Sequence, residues 1–187
     1  MRARKVFILG CIFTIIIGGL VVGEVYAQPP DMSQWVGKWF GLKSTQRGTT
    51  FRFSESTFIR DSGVVPTYMK IFNWDPTHEE FLADIYFKDN GFWKAQTITF
   101  RFLAGTDIKF LWLHDSLDVQ TGEGRVFTAM MEGKENNGIL QGAKIKTLGG
   151  SYLIVDQVNN TSTGSLRLTG KMIDVSKVPV PANLIIH

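Results

Sequence analysis

The chain has 187 residues, 20 basic and 17 acidic side chains and a formal net charge of +3. A single cysteine, Cys11, excludes a disulfide-stapled scaffold, so stability has to come from a buried core, which one domain of this length can supply. No run of about five or six like charges occurs, so nucleic acid is not an expected partner.

Arg2, Arg4 and Lys5 lead into an apolar run from Val6 to Gly23, and Val25-Tyr26-Ala27 closes it with residues that fit a signal-peptidase site. Residues 1–27 are therefore expected to be a signal peptide, and the protein to be exported to the periplasm or beyond the cell. A run of this length also suffices to span a bilayer, so an uncleaved N-terminal anchor is the alternative, and it is the only membrane contact expected. Ile8-Leu9-Gly10-Cys11 resembles a lipoprotein box, but the apolar run continues past Cys11, so a lipid anchor is not expected. Cleavage would take away Arg2, Arg4, Lys5 and Glu24, so the 20 basic residues fall to 17, the 17 acidic ones to 16, and the net charge to +1. The exported part would hold no cysteine.

Residues 28–37 read as an extended spacer, Gln28-Pro29-Pro30, followed by one helical turn with Asp31 as its N-cap. A β-domain follows over 38–175. Turn-forming clusters punctuate it at Gly48, Asp61-Ser62-Gly63, Asp75-Pro76, Asp89-Asn90-Gly91, Gly105-Thr106-Asp107, Gly122-Glu123-Gly124, Asn136-Asn137-Gly138, Gly149-Gly150 and Asn159-Asn160. Between them lie ten strand candidates: 38–47, 49–60, 64–74, 78–88, 92–103, 106–116, 124–134, 138–148, 151–159 and 164–173. Asp75-Pro76-Thr77-His78-Glu79-Glu80 would also start a helix well, but Asp89-Asn90-Gly91 is a hairpin turn and needs a strand before it. No proline interrupts the chain between Thr77 and Val178, as ladder hydrogen bonding requires. The expected fold is all-β, an up-and-down antiparallel β-barrel of eight to ten long strands. Pro179 and Pro181 break up a tail over 176–187 that ends in Leu184-Ile185-Ile186-His187.

Alternation is clean at Phe51/Phe53, Phe81/Ala83/Ile85/Phe87, Ile98/Phe100/Phe102 and Leu166/Leu168. Ten closed strands would leave a cavity, and with the apolar face inward its lining would be Phe51, Phe53, Ile85, Phe87, Phe100, Phe102, Trp112 and Met130. The alternative is that these aromatics interdigitate and fill the space.

In Trp35-Val36-Gly37-Lys38-Trp39-Phe40, a Gly-x-Trp follows a helical turn and opens the first strand, which resembles the first lipocalin motif. The resemblance implies a calycin-like barrel closed at one end by Gly37 and Trp39, with an arginine from the last strand lying over the tryptophan. Arg167 is the candidate, although it alternates away from Leu166 and Leu168, while the better-placed residue is Lys171. The family's later Thr-Asp-Tyr motif has no counterpart. Ten strand candidates bring the chain closer to the fatty-acid-binding relatives.

Chemistry-bearing motifs are few. His78-Glu79-Glu80 lacks the second histidine of a zinc-protease helix, since residue 82 is leucine. His114-Asp115-x-x-Asp118 could pair a base with a carboxylate or hold a metal, but reads more simply as a strand running into a turn. No serine has the context of a nucleophile elbow. No cofactor and no catalytic residue are expected. Three functional readings remain: a non-catalytic carrier or sensor of a small apolar molecule such as a fatty acid, an envelope domain that contacts another protein through an exposed edge or the tail, and a barrel enzyme such as a cyclase or isomerase acting on an apolar substrate, using His114 or an internal carboxylate.

Overall fold

The computed structural model describes residues 31–187 except 54, 90, 119–121 and 157–159, so the expected signal peptide and Gln28-Pro29-Pro30 lie outside the described residues. Eight antiparallel strands, each paired with its neighbours in chain order, close into an up-and-down barrel. They are β1 (Trp39–Arg52), β2 (Thr57–Asp75), β3 (Glu80–Asp89), β4 (Phe92–Gly105), β5 (Lys109–Asp118), β6 (Glu123–Asn136), β7 (Ile139–Asp156) and β8 (Asn160–Ile173). A 3₁₀ turn, Ser33–Trp35, precedes them, and two more, Val175–Lys177 and Ala182–Leu184, follow.

Ten strand candidates become eight because three of the expected turns lie inside strands. β1 runs through Gly48, β2 through Asp61-Ser62-Gly63, and β7 through Gly149-Gly150. At Gly48 the requirement is proximity and not a turn. Gly48 pairs with Gly164 of β8, and a side chain on either would collide with the backbone of the other strand, while the Tyr152 hydroxyl fills the space beside Gly48. The chain breaks instead between Arg52 and Thr57, inside the 49–60 candidate, so three merged breaks and one new one leave eight strands. Asp75-Pro76 starts no helix. Its carboxylate accepts the N–H groups of Thr77 and His78 at 2.8 and 3.2 Å and caps a turn that leads into β3.

Strand phase decides what fills the barrel. Phe40 and Leu42 of β1, Met69 and Ile71 of β2, Phe81 and Ala83 of β3, Ile98 and Phe100 of β4, Phe110 and Trp112 of β5, Ala129 and Met131 of β6 and Ile145 of β7 point inward and are buried. A bulge between Ile71 and Asn73 inserts Phe72, so that Trp74 also turns inward, onto Phe81 at 4.6 Å between ring centroids. The rings continue as a stack, Phe81 on Phe100 and Phe110 at 5.1 and 5.4 Å, and Phe100 on Trp112 at 4.4 Å. This half of the barrel is solid.

Trp35 plugs its end. The 3₁₀ turn, preceded by Asp31 accepting the Ser33 N–H at 2.9 Å, carries Trp35 across the mouth, where it is fully buried edge-on to Phe110 at 5.1 Å. Its Nε1 donates to the Asp107 carbonyl at 2.9 Å, and Gln34 accepts the Leu140 N–H at 3.0 Å. Gly37, at φ +80°, then reverses the chain and donates its N–H to Ile71 at 2.7 Å.

Trp39 does not close the barrel. It is one residue out of phase with Phe40, pairs with Lys70 and Ile173 on the outer wall, and packs on Tyr86 at 5.5 Å. Arg167 also points outward, paired with Thr45, far along β8 from Trp39. What covers Trp39 is the tail, whose Val180, Val178, Leu184 and Ile185 pack over Trp39, Tyr86, Tyr68 and Trp93. The fully buried Asp84 anchors this layer, accepting from Thr97 at 2.8 Å and Tyr86 at 3.2 Å and meeting the His187 ring at 3.0 Å. His187 stacks on Phe72 at 4.0 Å, and Lys70 donates to its main-chain oxygen at 2.5 Å. The bulge that turns Trp74 in thus also presents Phe72 to the tail.

Two tryptophans therefore have separable roles. Trp35→Ala should cost about 3–5 kcal/mol through the void left in the plugged end. Trp39→Ala should be non-additive with removal of residues 178–187, because each strips the same layer. Denaturant midpoints of the single and combined variants check both, and additive losses would place Trp39 elsewhere.

Candidate functional site: an amphiphilic cup at the open end

The half of the barrel away from Trp35 is open. Inward side chains there form a cup of about 520 Å³, floored by Ile98, Phe127, Leu166 and Leu168 and flanked by Ile85, Phe87 and Ile154. Its polar wall carries Ser44, Gln46, Thr67, Gln96, His114, Glu123 and Arg125, and Lys88, Asp89 and Lys94 stand at its rim. The floor is the top of the packed stack, since Phe127 meets Trp112 at 5.2 Å. Lys94 pairs with Asp89 at 2.5 Å, and Arg125 forms an ion pair with Glu123.

The cup has an interrupted wall. Among the described residues β4 and β5 pair only where Arg101, Phe102, Ala104 and Gly105 face Leu113, Trp112, Leu111 and Phe110. Beyond that the strands part, and His114 bridges them, its Nδ1 2.8 Å from the Thr99 carbonyl oxygen. A carbonyl only accepts, so Nδ1 carries the proton and Nε2 of the neutral ring is an acceptor. Burial holds the His114 imidazole below the usual histidine range, nearby Arg125 acts in the same direction, and the Thr99 bond and Asp115 oppose them. Two buried side-chain donors have no partner among the described residues, Arg125 Nε in the cup wall and Trp112 Nε1 below the floor.

The expected lining divides three ways. Ile85 and Phe87 line the cup. Phe100, Phe102 and Trp112 point inward but belong to the packed half, with Phe100 and Trp112 fully buried. Phe51, Phe53 and Met130 are not in the interior. β1 pairs without a break from Trp39 to Arg52, so the phase set by Phe40 and Leu42 turns Phe51 outward. Phe53 lies in the β1–β2 turn, 56% exposed, and Met130 faces out beside Leu111, because Phe127, Ala129 and Met131 are the inward residues of β6. Reasoning from apolar alternation missed Gln46, Gln96 and Arg125, while His114 stood out only as a possible base or metal ligand. Their signal was in phase alone: Gln96 alternates with Ile98 and Phe100, and Arg125 with Phe127. His114 and Asp115, adjacent on β5, point to opposite faces and cannot converge on one ion. Among the described residues no cluster of three or more metal-ligating side chains occurs.

Comparison with known proteins yields no match: no family model, no curated protein and no solved structure is significantly similar to this chain.

The state of His114 has a measurable consequence. An unfolded histidine titrates near 6.5, and the native His114 below that, so just under this pH the unfolded chain binds more protons than the folded one. Stability should therefore fall as pH drops from about 6.5 through the native pKa. His78, exposed and raised by Asp75, has the opposite sign, its contribution present below 6.5 and fading as pH rises. His114→Gln, which keeps a donor for Thr99, should flatten the acid-side decline in denaturant midpoints between about pH 7 and 5. An unchanged slope would show that His114 is not the group responsible.

Proposed function

We propose that the protein is a non-catalytic binder, a carrier or sensor, of a small amphiphile held in the cup, with the apolar part on Phe127, Ile98, Leu166 and Leu168 and a polar head among Gln96, His114 and Arg125. The observation that carries this reading is the division of the interior. One half is filled by interlocked aromatics, while the other is a recess of about 520 Å³ whose wall mixes apolar side chains with a few polar ones. That size and chemistry suit an enclosed small molecule. Arg125 Nε, a buried donor without a partner among the described residues, suits a ligand acceptor such as a carboxylate. His114 Nε2 suits a ligand hydroxyl or a bridging water. A fatty acid or a similar single-chain acid has both parts. Export, inferred from residues 1–27, places this activity outside the cytoplasm.

Among the described residues, nothing in the cup pairs an activated nucleophile with a base. Glu123 is engaged with Arg125, and among the described residues no serine or threonine hydroxyl is hydrogen-bonded to His114, whose Nδ1 is held by Thr99. Binding without chemistry is the simplest use of such a recess.

Blocking the cup should separate binding from folding. Gln96→Trp and Ser44→Trp place an indole in open space, so displacement of a fluorescent fatty acid should fail while the thermal midpoint hardly moves. Phe100→Trp, in the packed half, should instead cost about 1–3 kcal/mol by overpacking. Absence of probe binding by the wild type, or a large stability loss in both cup variants, would overturn the proposal.

A further inference from the structure

Outside the barrel, the walls differ in charge. The outward positions of β2, β1, β8 and β7 carry Arg60, Lys43, Arg47, Arg167, Lys171, Lys144 and Lys146, all exposed and, among the described residues, none in an ion pair. Among the residues whose side chains are described, β1, β7 and β8 carry no aspartate or glutamate at an outward position and β2 carries one, Asp75, at the end far from its hairpin with β1; on β6, Glu132 stands opposite Lys144. Lys144 and Lys171 are direct cross-strand partners on one face, a like-charge pairing that destabilises an isolated sheet. Lys43, Arg47 and Arg167 line one outer groove with Val64.

A second, independent feature adjoins this wall. β1 and β2 continue past the last β2–β3 pair, Thr67 with Phe87, as a projecting hairpin supported by β8. At its tip Phe51 packs on Phe53 and Phe58 at 5.1 and 4.8 Å, yet Phe53 is 56% and Phe58 75% exposed. The acid beside them, Glu55, is held by Arg52 at 3.5 Å. Val64 and Leu153, also exposed, lie on the same outer wall.

We propose that this wall docks on an anionic phospholipid surface, with the Phe51-Phe53-Phe58 tip entering the interfacial layer and the basic band lying over the headgroups. Charge complementarity selects an anionic partner. The exposed aromatic tip selects a bilayer over a soluble polyanion, because phenyl rings gain from leaving water only where an apolar phase receives them. The contact is separate from any anchorage by residues 1–27, and it sets the open end of the cup next to lipid.

A local probe distinguishes this contact from anchorage by the N-terminal segment. The full chain carrying Cys11→Ser and Ser56→Cys, labelled at position 56 with an environment-sensitive fluorophore, is mixed with vesicles of phosphatidylglycerol and phosphatidylcholine or of phosphatidylcholine alone. A blue shift with the anionic vesicles only, reversed by salt and absent for a label at Asp115→Cys on the opposite wall, is expected. Reversing three charges, Arg47→Glu, Arg167→Glu and Lys171→Glu, should weaken the response about a hundredfold. Phe53→Ser with Phe58→Ser should remove the blue shift while salt-sensitive association persists. Far-ultraviolet dichroism and thermal melts confirm that the variants are folded. An equal shift on phosphatidylcholine, a shift that survives charge reversal, or tight binding to heparin with no shift on anionic vesicles would each overturn the proposal.

Discussion

An eight-stranded barrel is just wide enough for its own side chains to fill, so the size of the inward residues decides where there is room. In the plugged half every inward position carries bulk or meets it: Phe81, Phe100 and Phe110 stack, Trp112 and Trp74 wedge against them, and Trp35 seals the end. Toward the open end the inward residues shrink or turn polar, Ser44, Gln46, Thr67 and Gln96, and the glycine pair Gly48 and Gly164 draws β1 and β8 together. The cup is a consequence of that change in side-chain size along the axis, and the aromatic stack gives it a rigid floor.

The architecture and a range of eight to ten strands were readable from turn chemistry, but the exact number, eight, was not. Asn136-Asn137-Gly138 and Asp89-Asn90-Gly91 sit at hairpins because their positive φ angles suit Asn and Gly, and the structure has Asn137, Gly138 and Gly91 in that region. Gly48 and Gly149-Gly150 have the same composition and the opposite role. Gly48 allows close approach. Gly149 and Gly150 lie where β7 shifts register against β6 and β8, and there Thr147 donates to and accepts from the Leu168 backbone in place of a ladder pair. Composition alone cannot tell a glycine that turns the chain from one that lets two strands touch.

The site was legible in period and not in phase. Alternation at Phe51/Phe53 is real, but a one-residue choice of phase moves a strand's whole set of side chains to the other face. In β1 that phase is fixed ten or so residues earlier, by Phe40 and Leu42. The Gly-x-Trp motif misled in the same way, since Trp39 alternates outward and the closing ring is Trp35, one helical turn upstream. The basic wall was equally hidden. Its residues are dispersed along four strands with no run of charge, and only cross-strand pairing gathers them. The tail, which reads as an apolar end available to a partner, instead covers the outer faces of Asp84, Tyr86 and Trp39.

A solid half and an open half make distinct claims about where foreign atoms can go. The most direct measurement is a crystal grown with a medium-chain fatty acid brominated at its last carbon, read by anomalous scattering at the bromine edge. Bromine signal on the cup floor, between Phe127 and Leu166, with none beside Phe81 or Phe110, is the expected result. Signal within the aromatic stack, or a cup that stays free of the acid at saturating concentration, would contradict the division of the barrel into a packed half and a binding half.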